Sequence, residues 1–78
     1  MAIWSALIKN IEYHKPVYRV TIDVKKDGVV KRTEVVDIND NTTLSEAVER
    51  IQDVLRKYEA AETIGANLNA YIGKEITL

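Results

Sequence analysis

Cysteine is absent from these 78 residues, and histidine occurs once, at His14. The first absence removes disulfides and thiolate zinc sites; the second leaves one imidazole without a companion ligand. No cofactor and no metal is expected. Glycine is equally sparse: Gly28, Gly65 and Gly73 lie far apart, so no phosphate-cradling loop exists. No apolar run approaches the roughly 20 residues that span a bilayer, and the opening lacks the basic region and cleavage site of a secretory signal. The sequence reads as soluble, intracellular and cytoplasmic, with no membrane partner. On that reading the glycosylation pattern Asn41-Thr42-Thr43 is a chance match.

Linkers, repeats and low-complexity tracts are missing too, so residues 1–78 form one small domain. A chain this short buries only about 60% of its unfolded surface, which leaves little stability in reserve. Its formal net charge of −1 hides an uneven distribution. Lys15 to Glu34 holds six basic and three acidic residues, whereas Asp37 to Glu62 holds seven acidic and three basic.

What is present is periodicity. Leu44, Ala47, Val48, Ile51, Val54, Leu55 and Tyr58 recur three and four residues apart, with Glu49, Arg50, Gln52, Asp53, Arg56 and Lys57 mostly opposite. Thr43-x-x-Glu46 supplies a capping box at the start, and Gly65 is suited to the end, predicting a helix over about 43–64. Before it, Tyr18, Val20, Ile22 and Val24 alternate with Arg19, Thr21, Asp23 and Lys25, the period of a half-buried strand. Lys26-Asp27-Gly28 reads as a three-residue hairpin loop. That register sets Val24 opposite Val30, Tyr18 opposite Val36, Thr21 opposite Thr33 and Asp23 opposite Lys31, with Arg32 and Glu34 on the apolar side.

The opening segment, Ala2 to Tyr13, supports helix or strand by spacing alone. A long helix needs more than a two-stranded hairpin to cover its stripe, which favours a strand. The expected fold is α+β: an antiparallel three-stranded meander packed against one long amphipathic helix. The tail "LNAYIGKEITL" alternates as a fourth C-terminal strand would, or forms a short helix ending before Gly73.

An opening "MAIWSALIKNI", a hairpin "YRVTIDVKKDGVVKRTEVVDI", a helix "TLSEAVERIQDVLRKYEAAETI" and a short extended tail follow in that order. In this order, and in Trp4 after a Met-Ala start, the chain resembles small proteins encoded among the structural genes of tailed bacteriophages. The resemblance implies a non-enzymatic accessory or virion-associated protein that works through contacts, and it favours the strand reading. It assigns no site residue. The loop Asp37 to Asn41 departs from it.

That loop places side-chain oxygens at positions one, three and five of a calcium-loop pattern. Thr42 then stands where the sharp turn wants glycine, and Val48 where the bidentate glutamate belongs, so turns and caps are the expected use. Ser5, Ser45 and His14 show no spacing that would bring nucleophile and base together, and Glu46 and Glu49 read as solvated; no enzyme is expected. Lys25, Lys26, Lys31 and Arg32 crowd the hairpin tip and could track phosphates, but a sequence pI near 5.8 is low for a dedicated nucleic-acid binder.

As a strand, the opening is apolar on both sides: Ala2, Trp4, Ala6 and Ile8 on one, Ile3, Leu7, Ile11 and Tyr13 on the other. One helix covers one face, leaving the tail, another protein or a second copy to cover the rest. Trp4, Ile8 and Tyr13 are the candidate interface residues, with self-association or another protein as partner.

Overall fold

The computed structural model describes residues 2–78. Strands β1 (Trp4–His14), β2 (Val17–Lys26) and β3 (Val29–Asn39) form an antiparallel meander in that spatial order, and helix α1 (Leu44–Asn69) packs across it. The opening is therefore a strand. Lys15 and Pro16, joined by a cis peptide bond, turn β1 into β2.

The hairpin loop has two residues, not three. Asp27 and Gly28 both take positive φ, at 52° and 80°, as a type I′ turn requires, and its twist suits the flanking strands. Lys25 faces Val30, then the register shifts, and Val24 faces Arg32. Lys31 is the residue bulged out. The expected pairs are consequently displaced by two: Asp23 faces Thr33, Thr21 faces Val35 and Tyr18 faces Ile38. A displacement of two preserves the faces, so Arg32 and Glu34 do lie on the helix side.

A second irregularity changes faces. Ile8 opposes Ile22 and Asn10 opposes Thr21, so Lys9 is an extra residue in β1. Beyond this bulge the odd-numbered residues take over the side held by Trp4, Ala6 and Ile8. Ile11 and Tyr13 thus face the helix, not the side of Ile3 and Leu7 where strict alternation had set them.

The core is small. Val20, Ile22 and Val24 of β2 and Val36 and Ile38 of β3 are buried, with Trp4, Ala6, Ala47, Ile51, Val54, Leu55 and Tyr58 packed against them. Each valine, leucine or isoleucine among them stabilises the fold by about 1.5–3 kcal/mol when fully covered, but no residue of α1 is. On the reverse face, Asp23 is buried at the centre of the sheet. Thr33 Oγ1 donates to its Oδ1 at 2.8 Å, and Lys9 Nζ stands 3.7 Å from the other oxygen.

Half of the capping box forms as read, the Thr43 hydroxyl accepting from the Glu46 amide at 3.3 Å; the Glu46 carboxylate accepts from the Thr43 hydroxyl at 3.0 Å in place of the Thr43 amide. Gly65 does not end the helix. A glycine in the interior costs only about 1 kcal/mol, and α1 runs on to Asn69, capped where the Ala70 amide reaches the Asn67 and Leu68 carbonyls. The tail adds no fourth strand; Lys74 to Leu78 follow a turn in which Gly73 has φ 81°. Sheet and helix meet only in part, and the molecule measures 51 × 31 × 19 Å. Its radius of gyration is 16.4 Å, well above the roughly 11.5 Å of a compact chain this long. Among the described residues no helix is long and apolar enough to cross a membrane.

Candidate protein-interaction surface

The helix starts at the end of the sheet where β1 finishes and β2 begins. Its approach is fixed by the Asp40 amide donating to the Pro16 carbonyl at 2.8 Å and the Thr42 amide donating to the Asn39 carbonyl at 3.0 Å. The first sheet-facing helix residue there is Ala47, too short to fill the gap that Leu55 and Tyr58 fill further along. An apolar cleft of about 380 Å³ results, with Ile8, Ile11, Tyr18, Ile38, Leu44 and Val48 among its walls. Leu44 is 81% exposed. Ile8, Ile11 and Val48 are roughly half covered.

Tyr13 forms the rim. Its ring lies 4.6 Å from that of Tyr18, and its hydroxyl donates to Asp40 Oδ2 at 2.8 Å. That hydrogen bond, followed by desolvation and the charge of Asp40, raises the phenol above its usual value. The Lys9 bulge is what places Tyr13 and Ile11 beside Ile8, so β1 presents one apolar stripe to the cleft.

At the opposite end of the sheet, side-chain contacts hold the helix. Trp4 meets Tyr58 and lies 5.8 Å beneath Lys26 Nζ, which is ion-paired with Glu62. Tyr58 donates to Glu34, which Arg32 also approaches at 3.2 Å. A hollow of about 470 Å³ beside Trp4 is larger than the cleft, but the Lys26 to Glu62 pair lies in its wall and its lining is mixed in polarity.

Of the three residues expected at an interface, Ile8 lines the cleft, Tyr13 borders it, and Trp4 packs beneath the helix at the far end. The helix residues Leu44 and Val48 were not anticipated as interface residues. Their signal was available, because 44-48-51 forms a second apolar row beside 47-51-54-58. The basic quartet is divided: Lys26 and Arg32 face the helix and are ion-paired, while Lys25 points to the reverse face and Lys31 sits in the bulge. The acid-amide loop is committed to local bonds. Asp37 pairs with Arg19 at 3.5 Å, Asn39 Oδ1 accepts from the Asn41 amide at 3.2 Å, and Asp40 holds Tyr13. Among the described residues no three His, Asp or Glu side chains converge as metal ligands do. Ser5 and His14 stand nine residues apart on one strand, roughly 30 Å.

Comparison of the chain with protein-family models, curated proteins and solved structures gives no match. Function has to be read from the surface itself. Its most distinctive feature is an apolar cleft that no other segment among the described residues covers.

Proposed function

We propose that this chain is a non-enzymatic protein–protein interaction or assembly module that engages its partner through the cleft between β1 and the first half of α1. The observation that carries this is the uncovered stripe of Ile8, Ile11, Leu44 and Val48, on a domain too small to leave so much apolar surface idle. An aromatic rim beside an aliphatic floor is the composition of an interface centre. The resemblance in element order to small structural proteins of tailed phages agrees with an assembly role, as a virion-associated or accessory protein.

The test is direct. An environment-sensitive apolar dye should bind the wild type and be lost on Ile11→Ser, with the circular dichroism spectrum unchanged. Sedimentation over a wide concentration range adds the self-association readout. A chain that neither binds the dye nor associates does not have the surface this reading needs.

A further inference from the structure

Burial does not decide which side of the sheet Ile11 and Tyr13 occupy. Beyond the Lys9 bulge they stand on the helix side, yet Ile11 is 54% exposed and Tyr13 50%, while Leu7 on the reverse face is 52% exposed. Either face covers such residues about equally. A strand apolar on both faces specifies its register weakly, because a slip of one residue exchanges the faces at little cost in burial.

The bulge supplies the residue that such a slip needs. With Lys9 set opposite Thr21, Asn10 faces Val20, Ile11 faces Arg19, Glu12 faces Tyr18 and Tyr13 faces Val17. The extra residue moves to the turn, which becomes a three-residue loop of His14, Lys15 and Pro16, a common hairpin length. Ile8 keeps Ile22, and Lys9 stays on the face of Asp23, so their ion pair is not sacrificed. In this straight register Ile11 and Tyr13 join Leu7 on the reverse face. Asn10 and Glu12 take their places in the wall of the cleft.

The contacts that favour the bulged register gather at Tyr13. Its ring lies 4.6 Å from that of Tyr18, and its hydroxyl donates to Asp40 Oδ2 at 2.8 Å. In the straight register Glu12 stands there instead, a second carboxylate beside Asp40, and it leaves the His14 ring that it now meets at 3.2 Å. Against these the straight register sets an unbroken ladder.

We propose that β1 has two registers, that the hydrogen bond from Tyr13 to Asp40 latches the bulged one, and that its release turns the β1 wall of the cleft from apolar to polar. The interaction surface is then conditional, existing only while the bulge sits at Lys9. That consequence rests on the interaction reading above; the two registers themselves do not. A latch of a few weak contacts leaves the straight register in roughly 1% of molecules, and an occupant of the cleft, binding the bulged register alone, draws the population towards it.

NMR relaxation dispersion on the full chain reads both registers, since the sliding of paired elements falls in the microsecond to millisecond range. Exchange should be confined to residues 9–14 and their partners 17–21, with strand-like carbon shifts in the minor state. Asp40→Ala, at an exposed position, should raise the minor population about fivefold, the worth of one ordinary hydrogen bond. Deleting Lys9 leaves Ile8 and Asn10 consecutive opposite Ile22 and Thr21, a ladder with no residue to spare, and should abolish the exchange. Random-coil shifts in the minor state mean that the strand frays, and they overturn the proposal whether or not the deletion variant folds. So does a flat profile in both the wild type and Asp40→Ala, or exchange that survives the deletion. Saturation with the apolar dye should suppress the exchange. Dye that binds and leaves the exchange unchanged overturns the latch while the interaction reading stands; exchange in a chain that binds no dye supports the two registers while the interaction reading falls.

Discussion

The rings of Trp4 and Tyr58 lie 6.2 Å apart at a tilt of 33°, and this contact ties the edge strand β1 to the middle of α1. Trp4→Ala should therefore cost about 2–3 kcal/mol, the lower end for a large aromatic because Trp4 is only partly covered. In a domain this small, that is most of the stability available. Leu7→Ala, on the exposed reverse face, should cost less than about 1 kcal/mol. Urea unfolding of both variants separates the two sides of β1.

Two glycines predict opposite signs. Gly65 sits inside α1 with open space where a Cβ would stand, so Gly65→Ala should stabilise by about 0.5–1 kcal/mol. Gly28 has the same open space but φ of 80°, and Gly28→Ala should cost about 1–2 kcal/mol through the backbone alone. Thermal midpoints of the two variants should move apart.

Burial, then the hydrogen bond to Glu34, raises the Tyr58 phenol above its usual value near 10. A raised value in the folded state favours the neutral phenol. The associated stability is full below the unfolded value and is lost as pH rises through the folded one. Urea midpoints should fall as pH rises above about 10, and Tyr58→Phe should flatten part of that fall. Tyrosinate absorbance supplies the check: Tyr58→Phe and Tyr13→Phe should each remove a component that ionises above the usual phenol range.

The divided basic tip predicts weak nucleic-acid binding. At about 0.15 M salt, fluorescence anisotropy with labelled DNA or RNA should show no binding whose affinity falls steeply as salt is added. A steep slope that Lys25→Ala and Lys31→Ala flatten would instead support phosphate tracking by the hairpin.

Thr43 and Glu46 announced the helix start because a cap is a local chemical event, and the strand identity of β1 followed from the need to widen the sheet. The helix end was misplaced because glycine's cost in an interior is small beside continued propagation through Ala66 and Leu68. The β2 to β3 register was displaced because Asp27 tolerates positive φ, which shortens the loop by one residue and leaves Lys31 to bulge. The β1 bulge left no trace: Ile3 and Leu7 are apolar at odd numbers just as Ile11 and Tyr13 are, so both phases were already filled and the change of phase that an inserted residue produces was hidden. The cleft was not legible, since it depends on how a short Ala47 side chain sits over a particular stretch of sheet.

The meander also orders events in time. Each strand pairs with its neighbour in sequence across a two-residue turn, so the sheet closes through the shortest loops available. The packing of α1 against the sheet joins the more distant parts of the chain, through pairs such as Lys26 with Glu62, which predicts that it forms last in folding and opens first. An occupant of the proposed cleft, bridging β1 and the first half of α1, would slow that opening and with it the unfolding of the whole chain.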